Sequence, residues 1–318
     1  MSSSNYCTTV NNQQGQCIQA IDCPGQQYDG CSDRRDFVCC VDEANYDGLR
    51  QLNQSDICGS FGDDKVKNGF EVAVHSRPWM ALLTGRDTNG VETVLCGGTL
   101  ITPRFVLSSA HCFMDHRYIN YHVRLGEHKI SEKKYCSRKI CEKPHENIEV
   151  KRIIKHEHYH PRLGLNDIAL VELNKEVIYK AHIRPICLPI YKKLRDLSYT
   201  MKFFKVTGWG RTEVGNSSDV LKEVILPRAN HNLCAKEYAL KRIIGKNQLC
   251  VGFKDIEKDS CEGDSGGPLF TAYPYYRGQR FIQMGIVSYG RQCSSVAAPA
   301  VYTNVARYVP WISRMIVA

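Results

Sequence analysis

Phe105-Val106-Leu107-Ser108-Ser109-Ala110-His111-Cys112 opens as an apolar run and closes on a histidine beside a cysteine. Phe105 to Leu107 has the length and the β-branched and aromatic content of a buried strand. Comparable runs lie on both sides of it: Trp79 to Leu83, Thr99 to Ile101, Ile168 to Leu173, Phe203 to Val206 and Phe281 to Val287, with Gly, Pro, Asn or Asp between them. About a dozen such runs after Val66 give the rhythm of an all-β sandwich or a pair of barrels. The chain end differs. Trp311/Met315 and Ile312/Ile316 are four apart, which predicts a terminal helix with one apolar face.

A length of 318 residues accommodates about two domains. No run reaches the roughly 18 apolar residues of a membrane helix. The sixteen cysteines are spread over the whole chain, which favours an oxidising, extracellular setting. Zinc binding is the rival use of cysteine, but no repeated short C-x-x-C pair is present. Met1-Ser2-Ser3-Ser4-Asn5 lacks the basic and apolar regions of a signal peptide, so the expectation is a secreted protein whose signal was removed and replaced by a start methionine. Asn53-Gln54-Ser55 and Asn216-Ser217-Ser218 are sequons that place candidate glycosylation at Asn53 and Asn216. The net charge of +9 is uneven: residues 1–57 hold three Arg against eight Asp or Glu, so the remainder is strongly basic. A well-solvated surface explains this better than polyanion binding, and no nucleic-acid partner or membrane span is expected.

Six cysteines, Cys7, Cys17, Cys23, Cys31, Cys39 and Cys40, crowd a stretch rich in Gln, Asn, Asp and Gly. With few large apolar residues it cannot build a core, and disulfides must replace one. Spacing alone leaves fifteen pairings open. Residues 41–57 are polar and read as a linker.

Gly263-Asp264-Ser265-Gly266-Gly267-Pro268 carries the strongest chemical signal. A serine hydroxyl is a weak nucleophile that needs a base and an exposed position. The flanking glycines permit a tight turn. They also let the N–H groups of Gly263 and Ser265 converge on a developing oxyanion. Asn166-Asp167-Ile168-Ala169-Leu170 sets a carboxylate at the head of a buried run, where it needs a partner. A histidine N–H suits it. His111, Asp167 and Ser265 stand in one of the known chain orders of the catalytic triad.

These motifs, with Pro78-Trp79-Met80, Cys96-Gly97-Gly98-Thr99-Leu100, Thr207-Gly208-Trp209-Gly210 and Val301-Tyr302-Thr303, make residues 66–318 resemble a chymotrypsin-family (S1) protease. The six-cysteine N-terminus resembles a clip domain, and the whole is similar to arthropod clip-domain serine proteases of the easter and Grass type. The resemblance implies two six-stranded antiparallel β-barrels with a C-terminal helix, the triad in the cleft between them, and a small disulfide-stapled clip domain in front. The expected division is a clip domain at 1–45, a linker and activation segment at 46–65, and a trypsin-like domain at 66–318.

The same resemblance implies the disulfides Cys7–Cys39, Cys17–Cys31, Cys23–Cys40, Cys58–Cys187, Cys96–Cys112, Cys136–Cys141, Cys234–Cys250 and Cys261–Cys293. Asp259, with Ser260 beside it, would form the base of an S1 pocket selecting Lys or Arg, and Gly290 would leave one wall open. Ala300 departs from the usual glycine, so its methyl is expected to narrow the pocket floor. Maturation would follow cleavage between Lys65 and Val66, after which the Val66 ammonium pairs with Asp264. Asp63-Asp64-Lys65 also resembles part of an enteropeptidase site. No cofactor is required for the chemistry. A structural calcium is a candidate at Glu127 and Glu146, where two carboxylates plus backbone carbonyls would suit a hard cation, the alternative being a solvated loop.

His156-Glu157-His158-Tyr159-His160 satisfies the H-E-x-x-H zinc pattern, but an apparent strand before it and Pro161 after it deny the helix that chemistry needs. The implied function is a protease zymogen of an extracellular haemolymph cascade. Its expected partners are an upstream activating protease, a downstream zymogen, prophenoloxidase or Toll-ligand precursor, and serpin inhibitors. A digestive trypsin would gain nothing obvious from the N-terminal module, and a non-catalytic homologue would be expected to lack the serine that this chain keeps.

Overall fold

The computed structural model describes residues 6–20, 23, 26–31, 36–41, 43–54, 56–60, 71–132, 136–137, 140–141, 143–210, 217–238, 244–252, 264–276, 278–290 and 298–318. Its N-terminal module is a four-stranded antiparallel sheet of β1 (Tyr6–Thr8), β2 (Gln14–Gln19), β3 (Gln26–Tyr28) and β4 (Phe37–Val41), in the order β1-β2-β4-β3. Disulfides Cys7–Cys39, Cys17–Cys31 and Cys23–Cys40 do the work of a hydrophobic core there.

The first large unit contains β5 (Met80–Asp87), β6 (Glu92–Leu100), β7 (Phe105–Ser108), β8 (Tyr118–Leu125), a short hairpin of β9 (Cys136–Ser137) and β10 (Ile140–Cys141), β11 (Glu146–Lys155) and β12 (Ala169–Leu173). Six of these strands close into a barrel in the order β11-β12-β7-β6-β5-β8. Leu83, Leu100, Val106, Val123, Leu125 and Val171 are buried together inside it. The second unit is a six-stranded sheet ordered β14-β13-β16-β17-β18-β15, built from β13 (Phe203–Gly208), β14 (Lys222–Pro227), β15 (Gln248–Val251), β16 (Pro268–Tyr275), β17 (Gly278–Tyr289) and β18 (Ala300–Asn304). Its edges approach through an Arg228–Val251 bridge and a bond from Gly252 N–H to Pro227 O of 2.9 Å, so it too curls toward closure. The two barrel-like sheets are thus the ones the strand rhythm predicts.

Phe270 packs edge to face against both Trp79 and Phe281 between the units, and Trp79 lies tilted on Phe281, with ring centroids 5.2–5.7 Å apart. Beside them the Thr99 hydroxyl donates to Gln283 Oε1 at 2.6 Å, a buried polar tie across the same boundary.

Helices appear where the sequence reading saw only one. The predicted terminal helix is α4 (Val305–Met315), which begins earlier than its apolar stripe because Asn304 caps it by accepting from Ala306 N–H. Trp311 and Ile312 face the core, as expected. The supposed linker contains α1 (Tyr46–Leu52), capped by Asn45, whose side chain accepts from Gly48 N–H at 3.0 Å. Two further short helices, α2 (Lys192–Thr200) and α3 (His231–Tyr238), decorate the second unit.

Helix α1 is seated on α4. Asn45 N–H donates to Ser313 Oγ at 2.8 Å, and Leu52 is buried in the cluster that holds Trp311 and Ile316. Gly48 makes the seat possible, because a Cβ there would lie 1.8 Å from Ser313 O. Further along, Cys58 is bonded to Cys187, and Gly59, at φ 58°, exchanges backbone bonds with Pro185 and Phe281. The remaining described disulfides are Cys96–Cys112, Cys136–Cys141 and Cys234–Cys250; Cys261 and Cys293 lie outside the described residues.

Candidate active site

His111 sits in a short 3₁₀ turn, Ala110–Phe113, immediately after β7, and the Cys96–Cys112 bridge ties that turn back to β6. Asp167 precedes β12, the strand that pairs with β7 so that Ala169 stands opposite Ser108. Asn166 brings it in: this residue takes a left-handed backbone, φ 53°, and its side chain is locked at both ends. Asn166 Nδ2 donates to His158 O at 2.8 Å, and Tyr308 of α4 donates its hydroxyl proton to Asn166 Oδ1 at 2.7 Å. The carboxylate of Asp167 is thereby aimed at His111. Oδ1 accepts the His111 backbone N–H at 2.9 Å, and Oδ2 meets Nδ1 of the ring at 2.8 Å.

The second unit completes this grip. Ser288, at the end of β17, donates its hydroxyl to Asp167 Oδ2, and Thr303 of β18 donates to Asp167 O at 2.7 Å. Burial pushes the Asp167 carboxyl upward. The facing His111 and the hydrogen bonds from His111 and Ser288 outweigh it and hold the group below the ordinary carboxylate range. An ionised carboxylate with a His Nδ1–H on one oxygen fixes the imidazole tautomer, leaving Nε2 as the proton-exchanging nitrogen.

Ser265 is brought to the same place by backbone. Gly267 N–H bonds Asp264 O at 2.8 Å, closing a tight turn around Ser265, and Gly97 N–H of β6 donates to Ser265 O at 2.8 Å. Gly266 is left-handed at φ 76°, and a Cβ there would fall 2.2 Å from Ser108 Oγ and 3.3 Å from Cys112 Sγ. The serine turn therefore lies directly on the strand and turn that flank His111. Asp264 points away from this contact. Its Oδ1 accepts Gly210 N–H at 2.9 Å, and a Cβ on Gly208 would sit 2.0 Å from it, so Thr207-Gly208-Trp209-Gly210 forms a seat for that carboxylate. Gly263, Asp259, Ser260, Lys65, Val66 and Asn216 lie outside the described residues.

A model described as Trypsin matches residues 66–312. The chain belongs to the trypsin family. The similarity extends past the protease domain. "Serine protease grass" of Drosophila melanogaster is 36% identical, covering 96% of this chain and 90% of that protein. "Phenoloxidase-activating factor 3" of Holotrichia diomphalia is 35% identical over 89% of this chain and 81% of its own length. The crystal structure of the Drosophila Grass clip serine protease of the Toll pathway superposes with a TM-score of 0.81 at 35% identity, covering 99% of this chain and 98% of that one. This trypsin-family chain is thus a clip-domain serine endopeptidase.

Around the protease cleft, Ala300 and Gly290 face each other: a Cβ on Gly290 would lie 3.2 Å from the Ala300 methyl. Among the described residues, His, Cys, Asp and Glu converge in threes only at Cys7, Cys17, Cys31 and at Cys96, His111, Cys112, and all of those cysteines are disulfide-bonded. The calcium candidates are engaged otherwise. Glu127 is buried against Arg124 Nη1 at 3.1 Å and His145 Nδ1 at 3.4 Å, and Glu146 accepts from Lys180 Nζ at 2.5 Å. As placed, these carboxylates do not fit a calcium donor set. The H-E-x-x-H stretch is structural. His156 is buried against Trp311 and Tyr308, with ring centroids 5.1 and 5.5 Å away, and Glu157 Oε2 accepts the Trp311 indole N–H at 2.9 Å.

Ser288 and Thr303 are the site residues the sequence reading assigned no role. Ser288 left a trace, as a polar residue closing the long apolar run that ends at Val287. Thr303 left none beyond its place in Val301-Tyr302-Thr303.

Proposed function

We propose that this protease is a zymogen that, once cleaved between Lys65 and Val66, hydrolyses protein substrates after Lys or Arg. Ser265 Oγ attacks the scissile carbonyl carbon while His111 Nε2 takes the hydroxyl proton. The same nitrogen then protonates the leaving amine, and water repeats the sequence to release the acyl group. Asp167 holds the Nδ1–H tautomer and stabilises the imidazolium. The N–H groups of Gly263 and Ser265 serve the oxyanion, and Asp259 with Ser260, Gly290 and Ala300 selects the basic side chain. The observation that carries this reading is the His111–Asp167 pair, gripped from the second unit by Ser288 and Thr303, with the Ser265 turn bonded to β6 beside it.

The cleaved chain would direct the Val66 ammonium to Asp264, whose carboxylate is already seated on Gly208 and Gly210. Secretion into haemolymph and a place in an immune proteolytic cascade, with a protease upstream, a protein precursor downstream and serpin control, follow from the kind of relatives the chain has. The test is organophosphate labelling before and after cleavage at Lys65. Label entering Ser265 only in the cleaved form supports the reading. A cleaved protein that takes no label, or a Lys65→Gln variant that reaches full activity after the same treatment, overturns it.

A further inference from the structure

Arg77 is a fully buried cation that the chemistry above does not use. Its side chain is 0% exposed, its Nε donates to Glu223 Oε2 at 2.6 Å, and its Nη1 donates to Ser76 O at 2.9 Å. The guanidinium lies over the Phe281 ring at 4.9 Å, with Phe270 and Trp79 about it at 5.9 and 6.0 Å. Glu223 is equally committed. It also accepts from Lys205 Nζ at 2.6 Å and from Thr207 Oγ1 at 3.0 Å. Burying charges is expensive, and pairing alone seldom returns the cost against a well-packed apolar pair of similar volume. A device of this kind is therefore better explained by what it fixes than by the stability it adds.

What it fixes is the register of one segment. In the β13–β14 pairing, Glu223 stands opposite Thr207 and Lys222 opposite Gly208. Arg77 is held at the Glu223–Thr207 rung. At the next rung, Glu71 forms an antiparallel bridge with Lys222, and Val72 N–H bonds Leu221 O at 3.2 Å. His128 Nε2 meets Glu71 Oε1 at 3.1 Å from the first barrel. Gly208, on that second rung, is the residue on which the Asp264 carboxylate rests. Segment 71–77 thus meets β14 at both ends, Glu71 by a backbone bridge at the Lys222 rung opposite Gly208 and Arg77 through its side chain at the adjoining Glu223 rung.

We propose that Arg77 and Glu223 are positioning residues for activation, whose buried ion pair sets segment 71–77 on β14 in the register that delivers the new N-terminus to Asp264. The inference rests on the activation reading given above. The charged groups facing the pair are Lys205 on β13 and, at the neighbouring rung, Lys222, Glu71, His128 and Asp264. The competent state requires the terminal amine to be protonated. Its ordinary pKa of about 7.7–8.0 is raised by pairing with a carboxylate, so activity is lost as pH rises through the raised value. Poorer delivery weakens that pairing and moves the alkaline limb to lower pH.

The experiment uses full-length chains, each cut to completion at Lys65–Val66 as verified by N-terminal sequencing. Wild type, Glu223→Gln, the double variant Arg77→Met/Glu223→Met and Asp264→Asn are compared. The double variant removes both charges of the fully buried pair together, and the one cation it leaves without Glu223 is Lys205, which is partly exposed. Organophosphate labelling rates are measured across pH, with thermal midpoints of the uncut forms alongside. The expected result is an alkaline limb about one unit lower in both Glu223 variants, with labelling slowed roughly tenfold at pH values well above the wild-type limb, by the relation of one pKa unit to a tenfold ratio. An unmoved limb overturns the proposal, whether labelling is normal or is reduced in step with the unfolded fraction. Asp264→Asn separates the two levels. If it is inert while the double variant behaves as wild type, only the positioning role fails; if it labels normally, the activation reading itself fails.

Discussion

Replacing Gly48 by alanine should unseat helix α1 from α4. The added Cβ would lie 1.8 Å from Ser313 O, 2.6 Å from its carbonyl carbon and 2.8 Å from its Cα. These are backbone atoms of a helix packed into the main core, so they cannot give way as a flexible side chain could. Undocking exposes Leu52, whose burial is worth about 2 kcal/mol. It also breaks the Asn45–Ser313 bond, worth about 1 kcal/mol. Alanine's better helix propensity returns about 1 kcal/mol. The docked state should therefore weaken by about 2 kcal/mol, roughly a 30-fold change in its ratio to the undocked state. Hydrogen exchange over residues 43–54 measures this directly, with protection falling by that factor. Hydrolysis of a small peptide substrate by the cleaved enzyme should be unchanged, because Gly48 touches no residue of the site. Wild-type protection in Gly48→Ala would refute the claim that the close contact on Ser313 dictates the seat.

Ala300→Gly should speed cleavage and alter the Lys/Arg ratio, because it removes the methyl facing Gly290; paired Lys and Arg peptides assay it, and unchanged kinetics would remove the claim. Ser288→Ala deletes a hydrogen bond to a buried carboxylate and should cost about 1.5–3 kcal/mol in denaturant titrations at pH 7. Because Asp167 is held below the ordinary carboxylate value, the stability it contributes is present above that value and lost as pH falls through its folded one, so the difference between Ser288→Ala and wild type should shrink toward pH 3. Chelator should leave the thermal midpoint within about 2 °C, and a rise of several degrees with millimolar calcium would show that Glu127 and Glu146 exchange their cationic partners for the ion.

The strand-bearing parts of this architecture were legible because buried strands advertise themselves. Phe105 to Leu107 and Ile168 to Leu173 are apolar runs whose strands are buried on both faces. The short helices were not legible. Leu49 and Leu52 of α1 give a single apolar spacing inside an otherwise polar stretch, and only the presence of α4 turns that spacing into a helix worth forming. His111, Asp167 and Ser265 could be found because each heads a recognisable local motif. Ser288 and Thr303 act on Asp167 across 121 and 136 residues of chain, and no local pattern reports a partner at that distance. His156 shows the converse: an eye-catching local pattern whose first histidine is buried against Trp311 and Tyr308 while its second, His160, is exposed.

That Asp167 is held by hydroxyls from the other half of the molecule has a consequence for the chain as a folding object. A fragment ending before β13 would own both His111 and Asp167, yet it would lack Ser265 itself as well as Ser288, Thr303 and the Tyr308 that steadies Asn166, so even the pair it keeps would lose its hold. Such a half could fold and still be inert. Proteolytic competence is then a signature of completed assembly, and mixing separately produced halves would restore it only to the extent that they recombine.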